Sequence, residues 1–398
     1  MVENNITLAI IKKDEKSNKK IIFFNIFIIL FTISKAWGLD SSNRTYYVLA
    51  AIAAVFWVFA LLGTKYEIKD ILFCSILLVT SAISLYCSGK IGAILPAMVI
   101  VAAKDTSIDD VIKVMMKCWI VTVSVKVLLV VLGFIPNEIR EKTNELAKGR
   151  DSYKMGYGHP NLFALAVAVC VLLVLYTYWN NIKWWWGLLI IAVATVVFIV
   201  SLSFAGTAVM LLAAGWCLIN CLVNRFEILN RIIDFLMIVV SAVFSLGMFV
   251  IVSITGINEN LDAVLYKYTS SRSWVSYDMM DKYPIKLFGQ RFDGRAEYEL
   301  VDNAYVYTLI RLGVIMFCLM VAVYFCCVIY TYKHRDTRRL FIIAVFIAYG
   351  FMEQSFINPF INFSWLFIAD MIWSKEKILN RSDSHYQELF DGHSGDIL

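Results

Sequence analysis

Apolar runs of about twenty residues recur along the chain, each long enough to cross a bilayer core of about 30 Å as a helix. They fall at roughly 21–37, 45–63, 70–88, 90–103, 111–135, 161–179, 184–203, 205–223, 232–254, 303–330, 340–357 and 360–373, the fourth and last being the shortest. No internal repeat, coiled-coil heptad or low-complexity linker interrupts the series. The pattern predicts an all-α, polytopic integral membrane protein with about twelve transmembrane helices. Composition agrees: of 398 residues 60% are hydrophobic and 17% charged, where soluble domains have about a quarter charged. The first run starts only at Ile21, behind a polar segment and without a small-residue cleavage site, so it is expected to remain as a span.

Lysine and arginine set the expected orientation. Lys12, Lys13, Lys16, Lys19 and Lys20 precede the first span, which places the segment 1–20 in the cytoplasm. Alternation then puts 64–69, 104–110, 180–183, 224–231 and 331–339 on the same side, together with the tail 374–398. The segment 331–339, "TYKHRDTRR", carries four Lys or Arg. Trp184, Trp185 and Trp186 read as an aromatic belt at the inner boundary. The expected organisation is thus a transmembrane domain over 21–373 with both termini cytoplasmic. All nine cysteines lie in apolar runs, so packing explains them better than a disulfide framework or a metal site.

Two extracytoplasmic loops stand out by length, 136–160 and 255–302; the other connections are ten residues or fewer. Long loops in a compact chain tend to carry function. Both mix charges of either sign, and "EIREKTNELAK" reads as a short surface helix. The larger loop interleaves Tyr and Trp with the charges, a mixture that suits sugars or lipid headgroups alike. Polar groups inside spans are costly, and Lys126, Arg311 and Glu353 lie within predicted spans. Arg311 and Glu353, opposite in charge and both toward the outer half, are equally explained as an ion pair between helices. No DxD in an external loop, His/Glu cluster or Walker motif is present, so neither a metal, an organic cofactor nor ATP is expected.

Three stretches resemble the O-antigen and capsular polysaccharide polymerases (Wzy-type) of the O-antigen ligase/polymerase superfamily. They are Gly156-Tyr157-Gly158-His159-Pro160-Asn161 leading into a span, Arg272-Ser273-Trp274 followed by Lys286-Leu287-Phe288-Gly289, and Asp302-Asn303-Ala304-Tyr305 with Gly313 beyond. In the superfamily's ligases a histidine stands where this chain has Asp302, and Met316 also departs from their pattern. The resemblance covers roughly 110–375. It implies a GT-C-like membrane glycosyltransferase of the bacterial cytoplasmic membrane, taking undecaprenyl-diphosphate-linked oligosaccharide as donor and acceptor. A flippase and a chain-length regulator are the protein partners it implies.

On that resemblance Arg272, then Arg150 and Arg291, would meet the departing diphosphate, and His159 or Asp302 would take the proton of the acceptor hydroxyl. His159 is equally explained as a cap on span six, with Pro160 in its first turn. Asn161 and Asn303 would hold sugar or diphosphate oxygens, Tyr305 would line the site, and Glu353 and Arg311 would shape its floor. Four rivals remain: a lipid-linked oligosaccharide flippase, an O-antigen-ligase-like glycan transferase, a polytopic lipid-phosphate-sugar transferase with acidic residues in its first external loop, and, last, a non-enzymatic membrane anchor or sensor.

Overall fold

The computed structural model describes residues 2–40, 43–141, 149–223, 226–269, 272–292 and 301–374. Among these residues the regular structure is helical apart from one two-stranded antiparallel pair. The helices are α1 (Val2–Ala36), α2 (Arg44–Gly63), α3 (Ile68–Ser88), α4 (Leu95–Ala102), α5 (Ile108–Val131), α6 (Pro160–Thr177), α7 (Trp184–Ser201), α8 (Phe204–Val223) and α9 (Glu227–Ile254). They continue with α10 (Glu259–Thr269), α11 (Arg272–Lys282), α12 (Ala304–Tyr307), α13 (Val314–Lys333), α14 (Thr337–Gly350) and α15 (Trp365–Ser374). Among the described residues, seven of these are long and apolar enough to cross a membrane: α2, α3, α5, α6, α7, α9 and α13. This is an all-α membrane protein.

Chain direction separates polar residues into two ends. At one end Asp70 at the start of α3 pairs with Lys104 just after α4, and Lys20 donates to the Lys104 carbonyl. Trp373 Nε1 donates to Ile100 O there at 2.8 Å. Nearby, Asp109 accepts from Tyr176 (2.6 Å) and lies 3.2 Å from Arg338, while Arg339 lies 2.6 Å from Asp370. These are the loops that the lysine and arginine count groups on one side. The opposite end gathers the C-terminus of α1, the start of α6 and the short helices α10 and α11. Close helix contacts use small residues: Gly187 of α7 meets Ala214 and Leu218 of α8, and Gly206 meets Ala164 of α6.

The structure departs from the apolar pattern in four places. Helix α4 has only eight residues, every one of them buried. The run 303–330 is not one helix: α12 passes into a π-turn over Thr308–Leu312, breaks at Gly313, and α13 restarts. The run 340–357 is helical only to Gly350, and the run 360–373 only from Trp365, leaving an unwound stretch between. And Ile139–Glu141 of "EIREKTNELAK" is a strand, β1, paired antiparallel with β2 (Asp151–Tyr153), not a helix; 142–148 lie outside the described residues, as do 293–300 and the tail 375–398. The segment 1–20 also continues directly into the first span, since α1 is helical from Val2.

The break at Gly313 is fastened by the loop that follows α11. Gly289 and Gly313 both have positive φ (+82° and +99°), and each backbone lies so close to the other that a Cβ on either would overlap it. Val314 N donates to Lys286 O (3.0 Å), Ile315 N to Leu287 O (3.1 Å) and Gln290 N to Arg311 O (3.1 Å). Ser84 of α3 donates to Leu312 O at 2.7 Å. The carbonyls released by the π-turn are therefore met without water, as a membrane interior requires. Substituting Gly313→Ala or Gly289→Ala combines a disfavoured φ with steric overlap against backbone. Either is expected to cost at least about 3 kcal/mol, read as a fall in thermal midpoint and folded yield of the purified protein in detergent.

Candidate functional site

The site is assembled where four broken or capped helix ends meet. Helix α6 begins at Pro160, whose fixed φ suits the first turn and whose missing N–H is not needed there. His159 caps it, its Nδ1 accepting from Asn161 N at 3.1 Å. Helix α12 is capped by Asn303, whose Oδ1 accepts from Tyr305 N (3.0 Å) and Val306 N (2.9 Å). Helix α11 buries Ser273, Ser276 and Met279, a spacing of three that lays one face on the bundle. Met279 packs in a small outer core with Met248 and Val252 of α9 and with Val306 and Ile310. That docking brings Arg272, the first residue of α11, over the unwound stretch that follows α14.

Arg272 is the hub. Its Nε donates to Met352 O at 3.0 Å and lies 3.3 Å from Asp302 Oδ2. Its Nη2 donates to Glu353 Oε1 at 3.5 Å. Asn161 Nδ2 reaches the same Glu353 oxygen, also at 3.5 Å. The side chains of Arg272 and Glu353 are each 12% exposed, whereas that of Asp302 is 31% exposed, so Asp302 stands at the mouth. Its partial withdrawal from water pushes its carboxyl above the ordinary carboxylate range, and the Arg272 guanidinium pulls the other way.

The candidate residues thus divide. Arg272, Asp302, Glu353 and Asn161 converge, with His159 two residues from Asn161 and Asn303 next to Asp302. His159 serves as a cap; with Nδ1 accepting a backbone N–H, the proton of the neutral ring sits on Nε2. Asn303 serves backbone on both sides, since its Nδ2 also donates to Phe351 O at 2.9 Å. Tyr305 lies below the site, donating to Ile347 O at 2.8 Å. Arg311 does not pair with Glu353. It is buried in the π-turn with its guanidinium 4.4 Å from the Phe292 ring centroid. Arg291 is exposed and lies against Gly89 at the end of α3, and Arg150 is exposed beside β2. Neither pairs with Asp302 or Glu353. Among the described residues, no three His, Cys, Asp or Glu side chains are grouped as metal ligands would be.

Sequence reasoning missed the clamp behind the site. Lys126 of α5 is buried with its ammonium 3.8 Å from the Tyr157 ring centroid, and it donates to Trp37 O. Tyr157 OH donates to Ala36 O at 2.8 Å. The loop that delivers His159 and Asn161 is therefore tied to the end of α1. The available signals were the lysine inside an apolar run and the aromatic between two glycines. The unwound stretch was also signalled, by Glu353, Gln354, Asn358, Pro359 and Asn362 crowding an apolar run.

Two substitutions separate these roles. Asn303→Ala removes two cap bonds and strips Phe351 O of its donor, and is expected to cost about 2 kcal/mol. Tyr157→Phe removes one bond and is expected to cost about 1 kcal/mol. Thermal unfolding of the purified protein measures both.

No family model, no curated protein and no solved structure matches the chain.

Proposed function

We propose that the protein is a polysaccharide polymerase: a membrane glycosyltransferase that moves a growing glycan from undecaprenyl diphosphate to the next lipid-linked repeat unit. On this reading it works at the outer face of the bacterial cytoplasmic membrane, with about twelve crossings, both termini inside, and without a metal. It would take lipid-linked oligosaccharide from a flippase and yield chains whose length a regulator sets. The observation that carries the reading is the meeting of Arg272 with Asp302, Glu353 and Asn161, drawn from three separate resemblance stretches and one intramembrane acid, at the end of the bundle expected to face outward.

The arrangement has a workable chemistry. The bond from the anomeric carbon to the diphosphate breaks, its electrons passing to the phosphate oxygen. The acceptor hydroxyl oxygen bonds to that carbon, and its proton passes to Asp302. Diphosphate is a good leaving group, so the site has to supply a base and a cation rather than an acid. Asp302 is the better base than His159, because it stands at the mouth and the His159 Nδ1 is occupied by a backbone N–H. With both carboxylates ionised, one guanidinium faces two negative charges. Proton transfer to Asp302 removes one of them as the diphosphate departs, leaving Arg272 more available to it. Glu353 and the Met352 carbonyl hold the guanidinium in place. The intramembrane cations that would favour a transporter, Lys126 and Arg311, are instead stacked on aromatic rings.

Reconstitution with an undecaprenyl-diphosphate-linked repeat unit tests this. A ladder of products is expected from the native protein and a loss of at least about 100-fold in Asp302→Asn and Arg272→Ala. Because the base must be ionised and its carboxyl titrates above the ordinary range, activity should fall as pH drops through that raised value. Arg272→Gln, which removes the pull toward lower pKa, should move the acid limb of any residual activity to higher pH. Transfer of intact lipid-linked sugar between leaflets without a ladder would defeat the polymerase reading.

A further inference from the structure

The external helix α10 has its polarity turned outward in the wrong sense for a helix in water. Over its described side chains, 259–265, the buried residue is Asp262, which accepts from Gly256 N at 3.0 Å and fixes the turn out of α9. Asn258 caps the helix by accepting from Asn260 N and Leu261 N. Its exposed side carries Leu261 and Val264, with Ile257 on the turn just before. At 100° per residue, Leu261 and Val264 fall within about 60° of one another, while Glu259 lies on the far side of the helix. Over 259–265, Asp262 faces the protein while Leu261 and Val264 face out, with Asn260 beside Val264.

The stripe continues a surface already turned to lipid. Helix α9 is an apolar candidate span of which only 17% of the most apolar window is buried inside the protein. Val243, Leu246 and Val250 are exposed along it, and Ile257 is exposed on the turn that follows. The turn between the helices is tight. Gly256 has φ +86°, and the Tyr277 hydroxyl of α11 approaches it closely. Trp274 and Tyr277, edge to face at 5.8 Å, are partly exposed on the neighbouring helix, the residue types that settle at a membrane–water boundary.

We infer that α10 is an interfacial helix: Ile257, Leu261 and Val264 lie in the boundary between headgroups and acyl chains of the outer leaflet, as a continuation of the lipid-facing side of α9. A short helix with one apolar face and little net hydrophobicity is suited to that position. The inference is independent of the chemistry proposed for Arg272. Its bearing on the site is that α11, which begins with Arg272, packs beside a helix held at headgroup depth.

Photo-crosslinking of the full chain in phosphatidylethanolamine/phosphatidylglycerol nanodiscs tests it. The photoreactive residue is placed singly by Leu261→p-benzoylphenylalanine, Val264→p-benzoylphenylalanine or Glu259→p-benzoylphenylalanine. All three positions are exposed, and monodispersity on size exclusion confirms the fold of each. Mass spectrometry should find phospholipid adducts at 261 and 264 several-fold above those at 259. Equal lipid labelling at all three positions, no lipid adduct at 261 and 264, or a covalent dimer in its place would each overturn the assignment.

Discussion

Inside a bilayer, a backbone carbonyl without a partner has no water to turn to, and most of what distinguishes this fold answers that constraint. Two stretches leave the helical ladder, around Gly313 and between Gly350 and Trp365. Each carbonyl met there is met by a side chain or by a second backbone. Phe351 O takes Asn303, Phe356 O takes Asn362 (2.8 Å) and Trp365 (3.2 Å), and Phe360 O takes Trp119 (3.0 Å). Arg272 belongs to the same set through Met352 O. The residue proposed to do chemistry is also one that lets the chain unwind, so geometry at the site and integrity of the fold rest on the same bonds.

This explains why the site is dense in capping residues. His159, Asn303 and Asp336 each accept from a helix-start N–H. Two of the three flank the acidic pair. A cap orients the chain where it enters a helix, and here Asn161 lies in the first turn of one capped helix and Asp302 just before the cap of another. Arg272 supplies the counter-charge that makes the burial of Glu353 and the partial burial of Asp302 tolerable.

The sequence was informative where the physics is local. A run of twenty apolar residues favours a helix on its own, and α2, α3, α5, α6 and α7 start and stop within a few residues of the apolar pattern. The grouping of loops at two ends was equally legible, because positive charge is counted without knowing the packing. What stayed hidden was non-local. Nothing in 303–330 alone requires a break; the break depends on Gly289, which closes over it from another loop. Likewise the opposite charges of Arg311 and Glu353 invited a pairing, yet Arg311 stacks on Phe292 and Glu353 meets a residue 81 positions before it. The strand at Ile139–Glu141 was misread because its helical charge spacing says nothing of the partner strand twelve residues on.

The contacts around α4 bear on the order in which the molecule can be built. Ribosomes deliver the chain from its beginning, yet the Ile100 carbonyl waits for Trp373, 273 residues later. Trp119 waits 241 residues for Phe360, and Ser84 waits 228 for Leu312. While synthesis proceeds, the first five helices therefore sit in the bilayer with an open seam on the side that α12 to α15 will close. Until then Ile100 O, the Trp119 indole and Ser84 Oγ lack the partners they have in the finished fold. Those three bonds can form only once the final helices have been made.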